Sequence, residues 1–401
     1  VELLQPLVQP YAWGSRHAIA ELQGRPVPSS GPEAELWVGA HPSAPSGLER
    51  GGRPTTLDAV IAADPDTELG PQCVARFGPR LPFLLKVLSA ERALSIQVHP
   101  SRAQAEAGFR AENERGLPSG DPARNYTDDW PKPELLYAVT PFEMVAGLRT
   151  PADAADILRA LAVEPLRPFA ARLEDEATAQ ALGEVFGSVL SWPEAGRAEL
   201  VAEVLTACAR LAGAGGRYAD ACAAVVRNAE DHPGDLGLVA LLLMRHMVLQ
   251  PGQAVFMPAG GLHDYLRGTG IEVLANSDNV VRAGLTRKHV DVPELLKLLD
   301  PAVTVPVLSP AALGDGIGWF DTPAPEFRLY VADLTGDVIL PGAGPRIMLC
   351  TEGAALLRSS SGASVKLGRG GSCFVAAADG SVRATGPARL FLASPGDLET
   401  G

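Results

Sequence analysis

The feature that most constrains this chain is a change of period in its middle. From Pro151 to about Leu249 the sequence is rich in Ala, Leu and Glu, in runs such as "PADAADILRALAVE" and "GRAELVAEVLTACARLAGAG". Apolar residues there recur every three or four positions, which predicts a mostly helical block. On either side the runs are short and strand-like: "LPFLLKVLS", "LSIQVH" and "ELLYAVT" before it, "GQAVFMPAGGLHDYLRGTGIEVLA" after it. A helical block between two β portions reads as an insert. The expectation is a mainly β fold in which residues 1–150 and 250–315 form one domain, 151–249 a helical inserted domain, and 316–401 a further β domain.

Local signals refine this outline. Residues 1–150 read as strands joined by turns, with one helix after Ser101, which follows Pro100 and is placed to cap it. A second cap, Asp291 with Glu294 three residues on, opens "DVPELLKLLD" as a capping box. The apolar run Leu236–Leu243 is too short to span a membrane and is followed by Arg245 and His246.

At 401 residues and a net charge of −13, the chain offers no basic surface to nucleic acid or anionic lipid. No nucleic-acid partner and no membrane association are expected. Five scattered cysteines without a C-x-x-C pair fit reduced thiols, and with no targeting segment at the N-terminus the expected location is the cytoplasm. Only five of the 34 basic residues are lysines: Lys86, Lys132, Lys288, Lys297 and Lys366. Lysine can lose its proton in a dry site, whereas arginine effectively cannot.

Three stretches place metal-capable side chains. In "SIQVHP", Gln97 and His99 lie two apart on an extended segment and share one face, with Ile96 and Val98 on the other. Alone, such a pair reads first as buried and hydrogen-bonded. In "GQAVFMPAGGLHDY" the spacing Gly252, Pro258, Gly260, His263 resembles the second cupin motif, a strand ending in a tight turn that aims a histidine into a β-barrel. In "DDWPKPELLY", Lys132 and Glu134 also share a face. An ordinary ion pair is the plain reading; beside a cation, Glu134 becomes a ligand and Lys132 a proton carrier. Together Gln97, His99, Glu134 and His263 give two nitrogens and two oxygens, a set suited to catalytic rather than structural Zn²⁺. A fourth stretch, "IEVLANSDNVVRAGLTRKHVD", carries Glu272, Asp278, Arg282 and Lys288 among apolar neighbours, and Arg282 suits a phosphate or charge developing on substrate oxygens.

These stretches, with "YAWGS", "AELWVGAHPSAPS", "NYTDDWPKPELLYAVTPFEMVAGLR" and "FDTPAPEF", resemble the type I mannose-6-phosphate isomerases, the phosphomannose isomerases of the cupin superfamily. The resemblance covers the chain except the helical block and the last ~70 residues. It implies cupin-type double-stranded β-helix (jelly roll) barrels, one Zn²⁺ per chain on Gln97, His99, Glu134 and His263, and a monomer. The implied reaction interconverts mannose 6-phosphate and fructose 6-phosphate through a cis-enediol, by proton transfer between C2 and C1. Catalytic roles fall on Arg282, Lys132, Glu272 and Asp278, with Lys132 and Glu272 both open as the base. Substrate binding falls on Lys86, Ser95 and Lys288, available to the phosphate. One departure is "TRK", with Arg287 where such enzymes often have Pro. The C-terminal segment repeats the Gly-rich layout in "LGRGGSCFVAAADG" without a histidine, which implies a second cupin-like barrel that binds no metal. Two rival classes, a cupin Fe²⁺ dioxygenase and a non-enzymatic sugar-binding cupin, fit less well: the first favours an H-x-H pair where Gln97 stands, and the second has no need of Lys132, Glu134 and Arg282 together.

Overall fold

The computed structural model describes residues 1–396 and 398. Two large antiparallel sheets, of eleven and ten strands, carry the chain, and a helical block packs on one side of the first. The organising element of the first sheet is the strand His263–Ala275. A bulge between Tyr265 and Arg267 bends it, so that its first half pairs with Ile96–Val98 and Phe142–Leu148 and its second with Phe83–Ala90 and Glu134–Ala138. One strand shared between two facing sheet halves closes them into the expected barrel.

The strand Phe83–Ala90 is buried along its whole length. Phe83, Leu85 and Val87 face outward and join a core with Ile347, Phe374 and Phe391 of the second sheet. Leu84, Lys86 and Leu88 face the barrel interior, a pleat that explains the nearly unbroken apolar run and leaves Lys86 as its one charge. Above and below, the interior is filled by Leu88, Leu136, Phe142, Met257 and Tyr265.

The helical block comprises Pro151–Leu161, Arg167–Asp175, Ala179–Leu190, Arg197–Ala214, Ala219–Asn228 and Gly237–Leu243. Thr150 caps the first helix through Asp153 N–H, with Pro151 at its first position, and Thr178 caps the third through Ala181 N–H. The block docks on the barrel through Ile96, Val98, Leu266, Val281 and Ala283. Contact is closest at Gly284, where an added Cβ would lie 2.8 Å from Gly237 Cα.

Three local expectations are corrected. The block ends at Leu243, and Met244–Leu249 is a strand paired with Phe142–Leu148. Gly237–Leu243 is buried on every side, so no stripe marks where helix gives way to the alternating burial of the strand. The segment from Leu57 to Phe77 forms three short helices rather than strands, two of them opened by Pro65 and Pro71. Asp291 caps its helix as expected, yet the Glu294 carboxylate does not return to it: it accepts from the Tyr126 hydroxyl at 2.6 Å and from Lys297 at 2.7 Å. The helix after Ser101 is present as Arg102–Glu114, with a capping box to Gln104.

The ten-stranded sheet takes Glu2–Leu4 from the start of the chain, paired with Ser372–Val375, and Ala311–Gly314. Its own interior is apolar, lined by Met348, Leu357, Leu367 and Leu390.

Candidate metal centre and active site

His99, Glu134 and His263 converge on one point inside the barrel. Their ligand atoms lie within 4.8 Å of one another, and all three side chains are buried. Each arrives by a separate route. His99 follows the strand Ile96–Val98, and Glu134 begins the strand Glu134–Ala138. His263 follows a turn in which Gly260, at φ +78°, donates its N–H to His99 O at 3.0 Å and accepts from Asp300 N–H at 3.0 Å. A side chain at Gly260 would combine a left-handed backbone with a contact at 3.1 Å.

The outer nitrogens of both imidazoles are occupied. His99 Nδ1 lies 2.8 Å from Asn279 O, and His263 Nδ1 lies 3.3 Å from Gly261 O. Donation from Nδ1 to a carbonyl leaves both Nε2 lone pairs turned inward, the usual arrangement of a histidine that binds metal. Each Nε2 is 3.3 Å from a different Glu134 oxygen. His99 Nε2 and Glu134 Oε2 are buried without hydrogen-bond partners, a costly arrangement unless a cation completes it. Burial lowers the His99 pKa to about 4, so the ring is neutral near pH 7. Burial alone would raise Glu134, yet the neighbouring imidazole and Lys132 hold it below the usual carboxylate range. The Gln97 amide is 3.1 Å from His263 Nε2, and a half-turn of its amide presents the oxygen there instead. The donor set therefore fits a divalent cation such as zinc.

A cavity of about 600 Å³ opens onto this point, and Gln97 and Glu134 line it. Lys132, Lys86 and Glu272 form its buried part, with Lys132 Nζ 3.3 Å from Glu134. Lys86 is not a free cation: its Nζ lies 3.4 Å from Glu35 and 3.7 Å from Glu272. Burial would lower its pKa, but those two carboxylates hold it above the ordinary lysine value. Glu272 is raised to about 7, first by burial and then by the Glu134 charge, against the opposing pull of Lys86. The Tyr265 hydroxyl donates to it at 2.8 Å.

Arg282, Lys288 and Arg287 stand on the cavity's more exposed side, with Ser95 half-buried beside them. Among the described residues none of the three cations has a carboxylate within ion-pair distance. Burial lowers Arg282, and burial followed by Arg282 lowers Lys288. Asp278 is exposed at the rim, 3.3 Å from His41 Nε2; burial would raise it, and the His41 contact holds it low. All eleven residues singled out in the sequence thus line the cavity or lie immediately beneath it.

Four residues were not singled out. Glu35 and Trp37 line the cavity from the strand Glu35–Val38, where a glutamate inside an apolar run was the available signal. Tyr265 is fully buried against Glu272. Asn279 ties two motifs together, accepting from Thr127 and Asp128 N–H at 2.8 and 3.2 Å and donating to Trp130 O at 2.8 Å. That latch holds the segment leading to Lys132 against the backbone that orients His99.

Comparison with known proteins agrees with this geometry. Residues 1–151 match the family model described as phosphomannose isomerase type I, catalytic domain. The chain is 37% identical to mannose-6-phosphate isomerase of Escherichia coli (strain K12), over 96% of each chain. It is 32% identical to the Bos taurus enzyme of the same name, over 97% of this chain and 96% of the relative. A crystal structure of mannose 6-phosphate isomerase, holo and zinc bound, superposes with a TM-score of 0.89 at 34% identity, covering 98% of this chain and 99% of that one. A variant of the Salmonella typhimurium phosphomannose isomerase superposes with a TM-score of 0.90 at the same identity and coverage. With the site geometry and the similarity both extending across the whole fold, this chain belongs to the type I phosphomannose isomerase family.

Proposed function

We propose that Gln97, His99, Glu134 and His263 hold one zinc ion, and that the chain uses it to interconvert mannose 6-phosphate and fructose 6-phosphate. The observation that carries this reading is the pair of buried, partnerless donor atoms on His99 and Glu134, facing a cavity whose outer side carries cations with no carboxylate partner among the described residues. A bound zinc ion supplies Lewis-acid polarisation of the oxygens on the two reacting carbons.

The protein's own groups do the rest. Lys288, Ser95 and Arg287 hold the phosphate at the exposed side, and Arg282 stands nearer the reacting oxygens, where its guanidinium offsets the negative charge of the enediol stage. Proton transfer between C2 and C1 falls to Glu272. Burial raises its pKa above the ordinary carboxylate value, the direction that suits a carboxyl that must both take and return a proton. Lys132, paired with Glu134, neutralises the ligand carboxylate and orients it. Lys86 belongs with Glu272 rather than with the phosphate, because its charge is engaged by two carboxylates. Asp278 shapes the rim through His41.

The finer points of setting follow. The site is complete within one chain, which supports a monomer. All five cysteines are buried free thiols, which supports the cytoplasm. No helix among the described residues is long and apolar enough to cross a membrane.

Substrate choice provides the test. Mannose 6-phosphate should be converted with kcat/KM at least ~10³-fold above that for unphosphorylated mannose, because remote binding energy at the phosphate orients the reacting carbons. Comparable values for the two sugars would contradict the phosphate assignment.

A further inference from the structure

Three adjacent antiparallel strands, Glu35–Val38, Phe83–Ala90 and His263–Ala275, carry a row of side chains into the cavity. Lys86 is the register partner of Trp37 on one side and of Glu272 on the other. Glu35 lies two residues before Trp37 and so on the same face. The row is chained by contacts. Trp37 Nε1 donates to Glu35 Oε2 at 2.7 Å, while Glu35 Oε1 lies 3.4 Å from Lys86 Nζ. On the far side Lys86 Nζ is 3.7 Å from Glu272 Oε2, and the Tyr265 hydroxyl occupies Glu272 Oε1 at 2.8 Å. Every one of these residues is at most 6% exposed.

The geometry places one ammonium between two carboxylates, and the two are not equivalent. Glu35 is the nearer and has its second oxygen pinned by an indole N–H. Lys86 has a flexible four-carbon stem, and its Nζ also lies 4.9 Å from the centre of the Trp37 ring. Without Glu35 no carboxylate on that side would hold the ammonium back, and only the Trp37 ring would remain. It would close on Glu272 as a simple buried pair, and the oxygen of Glu272 not used by Tyr265 would be covered.

We propose that Glu35, on a strand that supplies no metal ligand, is a positioning residue for isomerisation: it holds the Lys86 ammonium off Glu272, leaving one Glu272 oxygen free to meet the substrate proton. This rests on the function proposed above. Glu35 acts on the chemical step rather than on binding, since the phosphate end of the cavity is formed by other residues.

The test compares E35Q with E35D in mannose 6-phosphate turnover, alongside zinc content. E35Q should lose kcat by ~10–100-fold, the scale expected of a small misplacement at a reacting group, with KM within about three-fold of wild type and zinc retained. E35D restores the charge and should recover most of that loss. In an E272Q background, adding E35Q should cost less than about two-fold, because both changes remove the same interaction. Wild-type kcat in E35Q, a loss confined to KM, or full additivity with E272Q would each overturn the proposal. Should E35Q fail to fold, W37F serves instead, since it unpins Glu35 and leaves every charge in place. A fall in kcat at unchanged KM supports the proposal, and wild-type kcat overturns it. Absence of turnover in the wild type would defeat the isomerase reading, whereas an active wild type with an unaffected E35Q defeats only this inference.

Discussion

At the scale of single residues, the site separates groups that hold a cation from groups that handle charge on the substrate. His263 is fully buried and has an inward lone pair, so His263→Ala removes a ligand that nothing nearby replaces. Arg282 is more exposed and has no carboxylate partner among the described residues. His263→Ala should therefore lose both zinc, by metal analysis, and turnover, whereas Arg282→Ala should keep zinc and lose turnover by ~10²-fold or more, as when a charge-stabilising group is removed. An active, metal-replete His263→Ala, or near-normal turnover in Arg282→Ala, would remove the respective assignment. The metal-capable residues were legible because strand alternation and the glycine turn expose them in the sequence. Glu35 was not, because a glutamate in "AELWVG" is set apart from a surface residue chiefly by its contact with Lys86 on the adjoining strand, with Trp37 two residues along its own strand pinning the other oxygen. The engaged state of Lys86 was hidden for the same reason.

Among elements, the close approach of the helix Gly237–Leu243 to the strand Val281–Gly284 links the helical block to the catalytic strand. Gly284→Ala would put a methyl 2.8 Å from backbone at Gly237, and the strand carrying Arg282 would have to shift. The expected cost is about 1–3 kcal/mol, as for overpacking elsewhere, read as a lower denaturation midpoint together with reduced turnover. A variant with wild-type stability and activity would show that this contact does not set the position of Arg282. Sequence periodicity identified the block but not its end, since an all-buried helix shows no stripe. The short helices of residues 57–77 escaped because each spans only five to seven residues, below the length at which a 3.6-residue period declares itself.

For the whole molecule, the barrel class and the helical insert were legible from alternating and helical periods along the chain. Which strands share a sheet was not, because pairing joins distant segments. The chain's first strand, Glu2–Leu4, pairs with Ser372–Val375, and the outer face of the catalytic sheet shares a core with the C-terminal sheet. We propose that the helical block, residues 151–243 once the strand Met244–Leu249 is returned to the catalytic sheet, acts as a separate inserted unit, while the two β portions stabilise each other through that common core. The central claim concerns the centre of the first barrel, and one measurement bears on it most directly. Conversion of mannose 6-phosphate to fructose 6-phosphate should be followed on the purified protein, after chelation, and after zinc is restored. Activity that disappears with the metal and returns with zinc at about one ion per chain is the expected result. Undiminished turnover in metal-free protein, or none in the zinc-loaded protein, would contradict it.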